Sequence, residues 1–597
     1  MKAIILAAGY GARIRPYTDS KPKAMLEIAG QTIIGRMLKL LLTHGISEIC
    51  VVTGYCREQL ESYLSSSFPD VHFTFVFNEV YHKTNNIYSM HLAFEHFPLD
   101  DDILLIESDL VFTEAVLERI LQSPHKNIAL VDKFQVGMDG TVVDVEDDLI
   151  TNIIPPHLQG PGFDFSDKYK TLNIYRFSRE FVKTSFRKLL SFYATVYNDN
   201  CYYELILGIL VYMRHEQIFA CDVSGAKWCE VDDANDLRLA EIAFSEDGGV
   251  ASLDKAFGGF WNIPVMDFAF IRNMYFPNNS ILADMRYNLP DLLQNYGSAQ
   301  EILNQKLAHF LLVSKERVCL LNGLSQVYPM LETLLGDKTA LVPEPTFGEY
   351  ARIFRNRITY RDEEISNIKD ISDRQIDAAE VVIFVNPNNP TGSCIKGAEI
   401  IGLARREPNK LIIVDESFIE FAEQESVQDL LQKEPLSNVW ILKSLSKSLG
   451  IPGLRLGYVY TSDEGAIRDI NGRIPIWNIN SLAEYFLEII LKYRRELADS
   501  FQSTIADRQD FTEKLVSLSL VDYVYPSKAN FILLRLKINI SRLANLRNYL
   551  LREWNIYIKD CSSKFEDEKA HARVAVRLPE ENTRLIEALR EYREKKY

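Results

Sequence analysis

Five short apolar runs in the second half of the chain constrain its fold most: Val318–Leu321, Ala340–Val342, Val381–Val385, Leu411–Val414 and Val439–Leu442. Runs of this length and composition read as buried strands. In open α/β sheets, ligands bind outside the carboxyl ends of the strands. The chain places Asn322-Gly-Leu-Ser325, Glu344-Pro-Thr-Phe-Gly348, Asn386-Pro-Asn-Asn-Pro-Thr-Gly392, Asp415-Glu416 and Ser444-Leu-Ser-Lys447 at those ends. Lys447 lies among small residues and glycines, with Ser444 before it and Arg455 after it. A hydroxyl donor and a forked guanidinium both suit a phosphate. A lysine beside a fixed cation can lose its proton and attack an aldehyde. The helix expected from Gln326 to Leu335 would present free N–H groups to an anion.

The first 242 residues repeat the pattern. Ala3–Leu6, Ile49–Val52, Phe73–Phe77 and Ile103–Ile106 read as strands. Ile33, Ile34, Met37, Leu38, Leu41 and Leu42 recur at helical spacing, and Gly45 stops that helix. Strands alternating with helices predict a mostly parallel sheet covered on both faces. The loop Ala7-Ala-Gly-Tyr-Gly-Ala-Arg13 follows the first strand, and Pro16, Thr18 and Lys21-Pro-Lys23 follow the loop. It is neither a Walker loop nor a dinucleotide fingerprint. Gly9 and Gly11 let main-chain N–H groups close on phosphate oxygens, while Arg13 and Lys23 neutralise the charge. Thr53-Gly-Tyr55 and Glu107-Ser-Asp109 fall at neighbouring strand ends.

Composition narrows the partners. The 597 residues are 47% hydrophobic and 25% charged, as in ordinary soluble proteins, and the net charge of -16 disfavours nucleic acid. The eight cysteines form no C-x-x-C pair or tight cluster, which predicts reduced thiols in a cytoplasmic protein. Leu205–Met213 is among the longest apolar runs and falls short of a bilayer span; the run Ala3–Ala8 is too short for a secretory signal. Ser245-Glu-Asp-Gly-Gly249 and Phe257-Gly-Gly259 punctuate the chain. They predict one domain over 1–244, a linker over 245–261 and a second domain over 262–597.

The loop L-A-A-G-x-G-x-R with Lys21-Pro-Lys23, Val52-Thr-Gly-Tyr55, Phe77-Asn-Glu79, Asn85-Asn-Ile-Tyr-Ser89 and Trp228-Cys-Glu-Val-Asp-Asp233 resemble the sugar-phosphate nucleotidyltransferases. The choline-phosphate cytidylyltransferase branch is nearest, and the likeness covers nearly all of residues 1–240. It implies a Rossmann-like, GT-A-like fold that binds CTP. Leu6, Ala8, Gly9 and Gly11 would line the cytidine and phosphate site. Arg13 and Lys23 would act catalytically on the triphosphate, with Asn86 and Ser89 as further nucleotide contacts; the competing reading of those two is a polar turn. Asp109 and Asp232, with Glu230 as a third candidate, would hold Mg²⁺. Asp109 also suits a helix N-cap. Tyr202, Tyr203 and Glu204 would form an acceptor pocket for an alkylammonium, or else one face of a helix packed on the sheet.

In the second half, N-P-x-N-P-T-G, Asp415 and S-x-S-K…R resemble the fold-type I pyridoxal-phosphate aminotransferases over residues 262–597, near the histidinol-phosphate aminotransferase and threonine-phosphate decarboxylase branch. That resemblance implies a large α/β domain with a small α+β subdomain. Lys447 would attach the cofactor and shuttle the substrate proton, and Asp415 would keep the pyridine nitrogen protonated. Asn389 would bond the ring oxygen and Phe347 would stack on the ring. Leu324, Ser325, Ser444 and Arg455 would hold the phosphate, and Tyr296 would reach it from a neighbouring subunit, implying a homodimer. Arg573 would fork onto a substrate carboxylate, with Asn530 beside it; the alternative for Arg573 is an exposed strand arginine. Two positions depart from the pattern. Phe418 stands where many relatives have tyrosine, and Arg577 where they have glycine. Arg577 would share a strand face with Arg573 and bind a second anionic group, or pair with Glu580 or Glu581 at the surface.

The pairing of halves resembles phosphonate cytidylyltransferase–transaminase fusions. It implies amination of phosphonoacetaldehyde by an amino-acid donor, then transfer of CMP from CTP to 2-aminoethylphosphonate. The alternative is phosphocholine or phosphoethanolamine activation joined to a decarboxylase of an amino-acid phosphate. A non-catalytic scaffold would have lost reactive positions, yet Lys447, Asp415, Lys23, Arg13 and Asp109 are intact.

Overall fold

The computed structural model describes residues 1–594 apart from Val136, Pro161, His215 and Ser366. The chain divides into two compact units, Met1–Pro264 and Val265–Tyr597.

The first unit is built on a nine-stranded sheet. Its order is His72–Phe77, Glu48–Thr53, Lys2–Ala7, Ile103–Glu107, Tyr169–Phe177, Ile128–Lys133, Phe219–Asp222, Leu149–Ile154, Val142–Glu146. The first four strands are parallel. Beyond them the expectation of a mostly parallel sheet fails. Tyr169–Phe177 runs antiparallel to both its neighbours, and Leu149–Ile154 antiparallel to its own. Strand alternation sorts the apolar residues onto two faces. Ile4, Val52 and Leu105 pack with Ile87, Phe94 and Tyr203 on one face. Ile5, Val51 and Leu104 pack with Ile34, Leu38 and Leu117 on the other. The helix Ile33–Thr43 starts where Thr32 accepts from the Gly35 amide and ends before Gly45, whose φ is 76°. The glycine-punctuated stretch 245–261 lies within this unit and carries the helix Val250–Ala256, with Leu253 fully buried.

The second unit holds a seven-stranded sheet in the order Val318–Asn322, Leu456–Thr461, Val439–Ser444, Leu411–Asp415, Val381–Val385, Thr339–Glu344, Asn356–Arg361. Leu456–Thr461 runs opposite to the other six strands, which are parallel to one another. Register aligns the chemistry: Val385 lies beside Asp415, and Asp415 beside Leu442. The five strand-end loops singled out in the sequence therefore open on one edge. A four-stranded sheet of Val521–Val524, Phe531–Asn539, Lys569–Ala575 and Lys559–Asp560 forms the smaller part, covered by the helices Ile540–Trp554 and Pro579–Glu594. All eight cysteines are free, and no helix among the described residues is long and apolar enough to cross a membrane.

Candidate functional site

In the first unit, a cavity of about 610 Å³ opens at the carboxyl ends of the parallel strands. Its lining includes Leu6, Ala8, Gly9, Gly11, Arg13, Lys23, Asn86, Ser89, Glu107, Asp109, Tyr202, Glu204, Glu230 and Asp232. The glycine loop is held against the next strand end by a close backbone approach. A Cβ on Gly54 would lie 2.5 Å from the Ala8 carbonyl oxygen, and the Tyr55 amide donates to that same oxygen at 3.2 Å. Asp109 sits in the tight turn between Ile103–Glu107 and Leu110–Phe112, not at a helix start. The short strand Trp228–Glu230 pairs antiparallel with Leu110–Phe112, and the Val231 amide donates to the Asp109 carbonyl at 3.0 Å. This ribbon brings positions 109 and 232 together. Lys23 Nζ bridges them, 2.9 Å from Asp109 Oδ2 and 2.6 Å from Asp232 Oδ1, and Arg13 Nη2 donates to Asp232 Oδ2 at 2.7 Å. Burial works against the Lys23 charge, but the two carboxylates outweigh it and raise its pKa. Burial would likewise raise Asp232, yet Lys23 and Arg13 hold it below the usual carboxylate range. Asp233 caps the helix Ala234–Phe244 and so fixes Asp232 from behind.

Further along the cavity lies a group of carboxylates. Asn86, at the start of the helix Asn86–His96, donates to Glu107 Oε1 at 3.0 Å and accepts from the Tyr203 amide at 3.0 Å. Glu204 is 3% exposed and its Oε2 has no partner among the described residues. Glu230, expected as a third metal ligand, instead pairs with Lys170 at 3.0 Å and accepts from Asn173 at 3.4 Å. Burial, reinforced by Asp109 and Asp232 against the pull of Lys170, lifts Glu230 to about 7. Tyr203 is not part of an acceptor wall: it is fully buried in the core, edge-on to Tyr175 at 5.8 Å. The Ser89 hydroxyl lines the cavity but is engaged by Asn78 at 3.1 Å.

In the second unit, Lys447 lies in the single helical turn Leu445–Ser448 and is half-buried. Burial, with Arg573 and Arg455 nearby, lowers its pKa to about 8 against the opposing pull of Asp415. Asp415 accepts from Tyr350 at 2.6 Å and from the Ser417 hydroxyl and amide at 2.5 and 3.0 Å. Arg455 Nη2 donates to Ser325 Oγ at 3.1 Å. A Cβ on Gly323, where φ is 70°, would lie 2.4 Å from that nitrogen, so only glycine leaves the arginine its place. Arg573 Nη1 donates to Asn389 Oδ1 at 2.5 Å and Nη2 to the Ala269 carbonyl at 2.5 Å, with the guanidinium over the Phe531 ring. Phe347 is 37% exposed beside Tyr328. Ser444 ends its strand with its amide donating to Ser417 Oγ at 3.0 Å, and Leu324 opens the short helix Leu324–Gln326. Tyr296 is 78% exposed and stacks on Trp477 at 4.5 Å.

Arg577 is the clearest correction. The strand ends at Ala575, so Arg577 does not share a strand face with Arg573. Its Nε and Nη2 pair with Glu581 at 3.1 and 2.7 Å, and Nη1 donates to the Asp267 carbonyl at 2.8 Å. The alternative pairing with Glu581 is therefore the one found, although Arg577 is buried rather than at the surface.

Residues 279–589 match the family described as aminotransferase class I and II. The chain belongs to that family. Residues 3–140 match the MobA-like NTP transferase domain, so this aminotransferase is an enzyme fused behind a nucleotidyltransferase. It is similar to CMP-5'-(3-aminopropyl)phosphonate synthase of Streptomyces rubellomurinus, with 31% identity over 99% of this chain and 95% of that protein. L-serine phosphate decarboxylase of Sulfurospirillum multivorans is 31% identical over 50% of this chain and 79% of its own. A histidinol-phosphate aminotransferase of Ruminiclostridium cellulolyticum is 30% identical over 43% and 72%.

Class I aminotransferases work with pyridoxal phosphate, and the residues around Lys447 fit it. Asn530 is fully buried with both side-chain amide atoms unpartnered among the described residues, and Arg573 Nε is unpartnered too. Buried polar groups in that state await a polar guest. In the nucleotidyltransferase half, Asp109 Oδ1 is buried and unpartnered. The Asp109 and Asp232 oxygens, an all-oxygen donor set, fit a hard divalent cation at the place Lys23 now bridges.

Three residues of these sites escaped the sequence reading. Glu107 was visible only as part of a strand end. Lys170 and Arg176 are two buried cations inside the otherwise mostly apolar strand Tyr169–Phe177. Lys170 meets a carboxylate, whereas Arg176 donates to backbone carbonyls, so the sequence pattern alone does not name the partner. Tyr350, the partner of Asp415, gives no local signal at all.

Proposed function

We propose that this aminotransferase–nucleotidyltransferase fusion makes a CMP-activated aminoalkylphosphonate, with 2-aminoethylphosphonate as the leading acceptor. The second unit moves an amino group from an amino acid to phosphonoacetaldehyde, giving 2-aminoethylphosphonate and a 2-oxo acid. In the first unit a phosphonate oxygen of that amine attacks the α-phosphorus of CTP, and pyrophosphate leaves. The observation that carries the reading is the end-to-end likeness to a named CMP-aminopropylphosphonate synthase.

Each half supplies residues suited to its step. Pyridoxal phosphate, when bound, provides the electron sink for amino-group exchange. Lys447, held near neutrality, takes the proton from the substrate carbon and returns it. Asp415 would hold the proton on the cofactor's ring nitrogen, Arg455, Ser325, Ser444 and the Leu324 amide would hold its phosphate, and Asn389 and Phe347 would position its ring. Arg573 and Asn530 bind the acidic end of the substrate. In the first unit Gly9, Gly11, Arg13 and Lys23 would bind the triphosphate, and Asp109 and Asp232 would hold a Mg²⁺ that supplies charge neutralisation. We place the protein in the cytoplasm as a homodimer in which Tyr296 reaches the partner's cofactor phosphate.

The test gives the holoenzyme phosphonoacetaldehyde, an amino-acid donor and CTP. Pyrophosphate should appear only when aldehyde, donor and CTP are all present, with 2-aminoethylphosphonate replacing aldehyde and donor together. No amine product from the aldehyde would sink the reading. The likeness to L-serine phosphate decarboxylase favours a second one, decarboxylation of O-phosphoserine followed by cytidylylation of phosphoethanolamine. Carbon dioxide released from O-phosphoserine would select it.

A further inference from the structure

The carboxylates in the first-unit cavity outnumber the cations beside them. Glu107, Glu204 and Glu230 all line it; among the described residues Lys170 forms an ion pair with Glu230 and also draws Glu204 by its charge, without pairing with it. Glu107 Oε1 is tied to Asn86, and Asn86 in turn receives the Tyr203 amide, so Glu107 and the residue preceding Glu204 hang on one amide side chain. Glu204 is nine-tenths buried with Oε2 unpartnered among the described residues. An unpaired buried carboxylate is expensive to keep ionised, and burial raises the pKa of both Glu204 and Glu107 accordingly; a bound cation is what would restore their charge. The arginine and lysine of the phosphate loop do not fill that role, because both pair with Asp232, and Lys23 also with Asp109.

The chemistry of the guest follows from the lining. Glu107 and Glu204 offer hydrogen-bond acceptors, with Asn86 and Asn173 already engaged by their neighbours, and among the described residues the aromatic side chains on the wall are Tyr81 and Tyr202. A trimethylammonium carries no N–H and is recognised by aromatic faces. A primary ammonium carries three N–H donors and satisfies carboxylate oxygens directly. We propose that Glu204 and Glu107, held by Asn86, form the subsite for the acceptor's terminal nitrogen and select a primary ammonium over a trimethylammonium. This rests on reading the first unit as a cytidylyltransferase of an amine-bearing phosphorus acid. It includes aminoethylphosphonate, aminopropylphosphonate and phosphoethanolamine as a class and excludes phosphocholine.

The test compares 2-aminoethylphosphonate, its N,N,N-trimethyl analogue and ethylphosphonate as acceptors in CTP-dependent pyrophosphate release by the holoenzyme. The primary amine should lead both analogues in kcat/KM by roughly a hundredfold, as for a site built to hydrogen-bond its substrate. Glu204→Gln should erase about tenfold or more of that preference by raising the acceptor KM, leaving the CTP KM within about twofold. Comparable use of the trimethyl analogue by the wild type overturns the proposal, and this arm needs no variant to fold. A rise in the CTP KM equal to the rise for the acceptor also overturns it, because the carboxylates would then read the base. Absence of pyrophosphate with every acceptor removes the underlying reading itself.

Discussion

Lys447 shows how a residue's surroundings set its chemistry. Burial and the charges of Arg573 and Arg455 press its pKa down to about 8, from 10.5 in an open chain. The rate at which cofactor-free protein captures pyridoxal phosphate should therefore rise with pH and level off above about 8, measured by absorbance after stopped-flow mixing. The sign for stability follows from linkage. A lysine whose folded pKa is depressed costs stability wherever it is charged in both states, and the cost fades as pH climbs from about 8 toward 10.5. Cofactor-free Lys447→Met should melt above wild type at pH 7, and the gap should shrink across that window. Arg573 and Arg577 separate in the same way. Arg573→Gln should lower kcat/KM for the amino donor by about a hundredfold, the loss of a charged contact. Arg577→Gln should leave turnover intact but destabilise the fold by about 3 kcal/mol, because Glu581 is left without its partner. Denaturant melts alongside steady-state kinetics check both.

At the scale of elements, both sites depend on strand ends meeting in register. The glycine loop and Thr53-Gly54 belong to adjacent parallel strands, with Ala7 opposite Thr53. Their closeness requires the missing side chain at Gly54. Gly54→Ala should push the loop away and raise the CTP KM about tenfold or more while transamination proceeds unchanged, a split that a general folding defect would not give. The Leu110–Phe112 and Trp228–Glu230 ribbon matters as much. It joins two aspartates far apart in sequence, and neither strand is long enough to stand out from its own pattern.

At the scale of the whole molecule, the proposed divalent ion serves cytidylyl transfer and not transamination. EDTA should abolish pyrophosphate release and leave amine formation from the aldehyde intact; loss of both would contradict the assignment of the divalent ion to Asp109 and Asp232. The homodimer proposed through Tyr296 predicts a solution mass twice 68.6 kDa by light scattering.

The sequence by itself determined what is local. Apolar runs ending in glycine, proline or charged turns announced the strands and the loops after them and so picked out Lys447, Arg13 and Lys23 and the strand-end position of Asp415; the role of Asp415 came from the family resemblance. What needed the tertiary structure were pairings across long separations. Lys170 meets Glu230, Glu107 is tied to Asn86, and Tyr350 bonds Asp415, each between elements whose distance in space the sequence does not encode. Arg573 and Arg577 look equivalent by alternation alone. The strand stops between them and Glu581 takes one, so that only folding tells the arginine at the Lys447 pocket from the one clasped inside the fold.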